Sequence, residues 1–332
     1  MTTTTPKQRP LGGTGFAVSE IGLGCWQLGG DWGALPEGRA ESVLQAATDA
    51  GVNFWDTADV YGGGTSERII GAFNQMHPDA QRVIVTKAGR DASLYPDGYR
   101  RDTLRASIEA SRDRLLVDTL DLVQLHCIPF AEIQRGAVFE WLEECRQDGL
   151  IRFYGASVET VEEARYCLEH TQVASLQLIV NLLRQDMAEQ ILPQAAQQDV
   201  GVIVRLGLAS GLLSGRMRKD QAFAAEDHRN YNRDGAAFYV GETFSGLPYE
   251  LGVDLAEQLK TFCPDGLSLP QLALRWLLDQ PAVSSVITGA SRPEQIRDNA
   301  AVSALPPLPQ ELHRQLSDFY HQNVRSHIRG LI

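Results

Sequence analysis

Four ionisable side chains sit at or just beyond the ends of short apolar runs. Asp56 closes VNFWD at 52–56, Lys87 closes VIVTK at 83–87 and His126 closes DLVQLH at 121–126; Tyr61 follows Asp56 within DTADVYGGG. Each has an ordinary reading alone: a carboxylate capping a helix, a packed phenol, a solvated ammonium, a satisfied imidazole. Together they form an acid–base set. A phenol with a reference pKa of about 10 gives up its proton reluctantly at neutral pH. A neighbouring ammonium lowers that value, and a carboxylate holds the ammonium in place. In such a set Tyr61 is the acid, Lys87 its perturber and Asp56 the anchor, while His126 orients a carbonyl oxygen or shares the proton. None is a nucleophile. Proton delivery beside a carbonyl requires a hydride source, and hence a cofactor.

Groups at strand ends converge only if the strands share a direction and a mouth. Short aliphatic or β-branched runs recur at 21–25, 52–56, 83–87, 121–126, 152–156, 175–179, 201–206 and 284–288. Amphipathic stretches such as 38–50, 102–116, 135–148, 160–170 and 186–198 lie between them. Eight strands alternating with helices predict a (β/α)8 TIM barrel filling residues 1–332 as one domain, with its reactive groups at the C-terminal strand ends. An open doubly wound sheet is the alternative, because strand number does not establish closure. Residues 9–18 (RPLGGTGFAV) predict an N-terminal β-hairpin, and 209–268 a long insertion between strands 7 and 8. The middle of that insertion is polar with interleaved Tyr231, Phe238, Tyr239 and Phe244, which suggests a lid. Helices resume at 270–280 and 293–302, the second with Pro293 in its first turn.

Composition removes several classes. The chain has 332 residues, 43% hydrophobic and 22% charged, with a formal net charge of -12 and no cluster of Lys and Arg. A nucleic-acid footprint is therefore missing. No apolar run is long enough for a membrane span or a secretory leader. Five scattered cysteines without a C-x-x-C pair argue against a disulfide framework or zinc site, and the cytoplasm is the expected compartment.

The motifs DTADVYGGGTSE at 56–67, VTK at 85–87, QLH at 124–126 and VITGASRPEQIRDN at 286–299 resemble aldo-keto reductase signatures, in the family's order. The likeness runs from the hairpin to about residue 305. The chain closely resembles the bacterial branch related to potassium-channel β-subunits and aryl-alcohol or sugar-aldehyde reductases. The resemblance implies Asp56, Tyr61, Lys87 and His126 as the catalytic tetrad, with NADPH extended across the barrel mouth and NADH as the less favoured cofactor. Cys25 and Trp26 then line the nicotinamide end, with Ser157 and Gln177 on its carboxamide. Leu206, Gly207 and Leu208 meet the pyrophosphate, and Arg216 supplies charge. Ser291, Arg292, Gln295, Asp298 and Asn299 match the adenosine end. The substrate is a small carbonyl compound in a pocket of Trp26, Tyr61, His126, Pro129 and Phe130, with Asn181 and Arg184 nearby.

The chain departs from the family's pattern in three places. Val158 replaces an Asn that would hold the carboxamide. Gly289 and Gln295 stand where some relatives place Lys and Arg on a 2′-phosphate, leaving Arg292 as the evident cation. Arg205 replaces an aromatic beneath the nicotinamide; it either stacks there or swings to the pyrophosphate or to a carboxylate such as Asp31. A cofactor-binding regulatory subunit with little turnover is the rival function, and His126 argues against it. A metal-dependent barrel is disfavoured, because the remaining histidines fall in loops or helices.

Overall fold

The structure, a computed structural model, describes residues 5–30 and 36–332. Strands β1 (Gln8–Pro10) and β2 (Ala17–Ser19) form an antiparallel hairpin. Eight parallel strands follow: β3 (Ile21–Gly24), β4 (Phe54–Asp56), β5 (Val83–Ala88), β6 (Leu120–His126), β7 (Ile151–Ser157), β8 (Ser175–Ile179), β9 (Gly201–Arg205) and β10 (Val283–Gly289). They close in the order β10–β3–β4–β5–β6–β7–β8–β9. Because β10 pairs with both β3 and β9, the sheet is a barrel and the open alternative is excluded.

Each expected strand is present to within two residues. The largest difference is at β4, where Asn53 turns to the hairpin instead. Its Oδ1 accepts from Ser19 N at 2.7 Å, and its Nδ2 donates to Ala17 O at 2.9 Å. The expected helix at 186–198 is two pieces, Asp186–Gln190 and Leu192–Gln197, broken where Pro193 cannot supply an interior N–H.

Strand alternation places the chemistry. Successive residues face opposite sides of a strand, so i and i+2 share a face. Phe54, Val83, Val85, Leu122 and Ile203 pack inside the lower barrel with Leu11 and Val18 of the hairpin segment. Two residues further along the same faces come Asp56, Lys87, Gln124 and Arg205, and His126 lies two beyond Gln124. The hairpin thus plugs an apolar floor, and the upper layer is polar. Fully burying each large apolar side chain contributes roughly 1.5–3 kcal/mol. The plug sits close: a Cβ on Gly12, whose φ is +49°, would lie 2.4 Å from Asp199 O.

The insertion is ordered, not a bare loop. It contains a helix at Tyr249–Leu259, and its segment 239–247 is tied to the barrel and to the C-terminal tail. Asn181 Nδ2 donates to Leu206 O and Ser245 Oγ, both at 2.9 Å. Arg184 donates to Tyr239 Oη at 2.7 Å and Leu331 O at 2.9 Å. Asn181 and Arg184, expected near the substrate, are therefore buried brackets for the insertion. Residues 218–222 are exposed. Among the described residues no helix is long and apolar enough to cross a membrane.

Candidate active site

Lys87 organises the centre. Its Nζ donates to Asp56 Oδ1 at 2.5 Å, Thr57 O at 2.9 Å and Tyr61 Oη at 3.0 Å. An ammonium has three donors and no acceptor, so all three are committed here. Tyr61 Oη must accept from Lys87, and its own O–H is left to point elsewhere. Tyr61 is carried on a turn through Gly62, Gly63 and Gly64, all with positive φ, which delivers it over the mouth before the helix Thr65–Met76 starts.

Charge states follow from the packing. Burial opposes the charge on Lys87, but Asp56 and Tyr61 outweigh it and hold the ammonium above the usual lysine range. Burial also raises Asp56, against the donors Lys87 and Gln177. Since both Asp56 oxygens accept from N–H groups, it is placed as a carboxylate. The sequence-based expectation of a lowered Tyr61 pKa is not met. Burial raises the phenol, Lys87 pulls it down, Asp56 cancels part of that pull, and the net direction is upward. The phenol is thus protonated at neutral pH. His126 is held well below the ordinary histidine value, first by burial and then by Arg90 and Lys87, so its ring is neutral. It meets Tyr61 edge-on with ring centroids 5.8 Å apart, and its Nδ1 has no protein partner among the described residues.

Beneath the centre lies a buried amide layer. Gln177 Nε2 donates to Asp56 Oδ2 at 2.7 Å and to Gln124 Oε1 at 3.0 Å, and Gln124 Nε2 donates to Ser175 Oγ at 3.1 Å. Gln124 and Ser175 lie on β6 and β8 and both register with Gly155 of the intervening β7. A Cβ there would stand 2.3 Å from Ser175 Oγ, so glycine opens the gap through which the two side chains meet. Ser157 Oγ donates to Gln177 Oε1 at a long 3.4 Å.

A cavity of about 570 Å³ opens over this layer. Its wall includes Asp56, Tyr61 and His126 of the tetrad, while Lys87 stands behind Tyr61. The expected cofactor residues Cys25, Trp26, Gln177, Arg205, Leu206, Gly207, Leu208, Arg216, Ser291, Arg292, Gln295, Asp298 and Asn299 all line it; Ser157 reaches it only through Gln177. Gln295 Oε1 accepts from the Ser291 and Arg292 backbone N–H groups at 2.9 and 3.0 Å, capping the helix Pro293–Ala301. Arg216 and Arg292 line the cavity together with Glu294 and Asp298, and neither arginine makes a side-chain ion pair among the described residues. Trp26 stacks on Tyr61 at 5.7 Å and meets His228 and Phe238 of the insertion at 4.8 and 6.4 Å.

Two expected pocket residues lie elsewhere. The backbone turns at Cys127, whose φ is +47°, and Pro129 begins the helix Phe130–Arg135. Phe130 packs edge-on against Tyr166 at 5.6 Å, outside the cavity.

Arg205 has a partner that the sequence did not reveal. Its Nη1 lies 3.1 Å from Glu242 Oε2, and its Nη2 reaches Cys127 Sγ and Val158 O, both at 3.4 Å. Arg90 bonds Glu242 at 2.5 Å and Glu159 at 2.7 Å. Asp31 lies outside the described residues. Cys127, Glu159 and Glu242 come nearest to a metal-donor set, but the two arginines engage both carboxylates. Burial and the neighbouring Glu242 push Glu159 up to about 9, whereas Arg90 and Arg205 overcome burial and hold Glu242 well down. Sequence reasoning also missed Gln124, although it stands two residues before His126 on the same face.

Residues 20–321 match the model of the aldo/keto reductase family. The D-threo-aldose 1-dehydrogenase of Pseudomonas sp is 31% identical over 334 residues, covering 92% of this chain and 94% of its own. The NADH-specific methylglyoxal reductase of Escherichia coli (strain K12) is 29% identical over 313 residues, covering 89% and 93%. Among solved structures, the glycerol dehydrogenase from Gluconobacter oxydans superposes with a TM-score of 0.78 at 27% identity, covering 100% of this chain and 99% of that one. Closed barrel, N-terminal hairpin and full-length similarity agree, and the chain belongs to the aldo/keto reductase family.

Proposed function

We propose that this protein reduces an aldehyde or ketone to the alcohol, with NADPH as hydride donor and Tyr61 as proton donor. One observation carries this reading. Lys87 donates to Tyr61 Oη, so the phenolic O–H is free to be given to an oxygen in the cavity.

The residues present fit a dinucleotide. The cavity is continuous from Gln177 to Asn299, and Arg216 and Arg292 at its far end suit phosphate. Leu206, Gly207 and Leu208 offer backbone between them. A bound nicotinamide supplies a hydride to the carbonyl carbon; the remaining chemistry belongs to the chain. His126, neutral and lining the cavity, can donate one hydrogen bond to the carbonyl oxygen. Tyr61 transfers its proton to that oxygen as charge develops on it. Lys87 stabilises the resulting phenolate, and Asp56 keeps the ammonium charged and aimed. Trp26, with His228 and Phe238, covers the centre and limits water.

Preference for NADPH over NADH rests on Arg292 and Arg216, and is modest because Gly289 and Gln295 add no cation. The decisive experiment is to mix purified protein with NADPH and a panel of aryl, sugar and short-chain aldehydes. Aldehyde-dependent loss of NADPH supports an enzyme, whereas tight binding without turnover would leave a cofactor-binding subunit.

A further inference from the structure

Among the described residues Asp56 is the only carboxylate bonded to Lys87, yet a carboxylate held by one ammonium could rotate about it. The structure blocks that rotation. Oδ1 takes Lys87 and Oδ2 takes Gln177, from β8, a strand that does not pair with β4. Asp56 and Gln177 are each 1% exposed. The amide orientation is chemically determined. A carboxylate only accepts, so the Gln177 atom 2.7 Å from Oδ2 is the nitrogen. The same atom donates to Gln124 Oε1, which turns the Gln124 nitrogen toward Ser175 Oγ. The amide hydrogen bonds of this layer run outward from Gln177, one to Asp56 and one through Gln124 to Ser175 Oγ.

We propose that Gln177 is a positioning residue for proton transfer, fixing the Asp56 carboxylate so that Lys87 is held against Tyr61. This rests on the reading of Tyr61 as proton donor. It also limits what Gln177 can offer a cofactor. Both Nε2 hydrogens are committed to Asp56 and Gln124, and only Oε1, loosely held by Ser157, is open. Gln177 can therefore accept from a carboxamide N–H but cannot donate to its oxygen.

The first measurement uses the free protein, so it does not depend on turnover. With 13C-labelled aspartate, the Asp56 carboxyl resonance is assigned by its loss in Asp56→Asn and titrated in wild type and Gln177→Leu. A hydrogen bond to a charged group is worth about 1.5–3 kcal/mol, so removing the donor should raise the proton affinity of Asp56 roughly 10- to 100-fold. Gln177→Glu provides a second measurement if the leucine variant does not fold. Two carboxyls at this separation cannot both ionise, so they must share a proton. That variant should gain a new alkaline limb in its kcat–pH profile, where the shared proton is lost, which a merely structural role would not create. An Asp56 titration unchanged in Gln177→Leu, or a Gln177→Glu profile identical to wild type, would overturn the proposal. Failure of the carbonyl-reduction reading would appear separately, as no turnover in wild type.

Discussion

Arg205 at the end of β9 and Glu242 of the insertion form a 3.1 Å ion pair on the wall of the cavity, beside the tetrad. The pair gives the insertion a direct electrostatic hold on the reacting end of the site. It also changes what Arg205 can do there. A bare guanidinium beside an oxidised, positive nicotinamide would repel it, by about 4 kcal/mol for unit charges 4 Å apart at an effective dielectric near 20. Glu242 offsets much of that field. Glu242→Gln should therefore strengthen the preference for NADPH over NADP+ several-fold, and Arg205→Tyr should weaken it. Binary Kd values for both cofactors in the three proteins check this. A ratio that stays constant while affinities change would leave Arg205 without a redox bias.

The exposed part of the insertion should respond to cofactor. Arg216 and Met217 line the cavity, while Arg218 and Lys219 just beyond them are exposed. Segment 239–247 is already fixed by Asn181 and Arg184. Tryptic cleavage is expected at Arg218 and Lys219, and should slow when NADPH is added. Equal cleavage rates with and without NADPH would reduce this stretch to a connection.

Arg292 should separate the two nicotinamide cofactors. A charge-assisted contact to the additional phosphate is worth about 1.5–3 kcal/mol, so Arg292→Ala should weaken NADPH roughly 10- to 100-fold and leave NADH nearly unchanged. Parallel losses for both cofactors would place Arg292 on a group that they share.

Glu159 should make stability depend on pH. Its folded pKa of about 9 lies above the ordinary glutamate value, because burial and Glu242 oppose its ionisation. A carboxyl raised in this way binds more protons folded than unfolded, so it costs stability as pH rises from about 4.5 towards 9. Glu159→Gln should remove that loss. Its Tm relative to wild type should climb by several degrees between pH 5 and pH 9, and a flat difference would contradict the raised Glu159 pKa.

The convergence of Asp56, Lys87 and His126 was legible because strand ends follow a local pattern: each closes an apolar run, and parallel closure does the rest. Gln124 obeyed the same two-residue period and was readable beside His126. Glu242 was not, since nothing in VGETF shows that its partners are Arg90, just beyond β5, and Arg205, at the end of β9. Pro129 and Phe130 were misplaced because a backbone turn at Cys127 diverts the chain after β6. The direction of the Tyr61 shift was misjudged for a related reason: neighbouring charge can be read from sequence, but burial comes only with the packed barrel.

The central claim is that Tyr61 gives its proton to the substrate while Lys87 holds its oxygen. Tyr61→Phe keeps the ring stacked on Trp26 and removes only the hydroxyl. General acid catalysis contributes about 10²–10⁴-fold, so kcat for aldehyde reduction should fall by at least that order, while the Kd for NADPH stays within a few-fold of wild type. A variant that retained wild-type kcat would contradict the account.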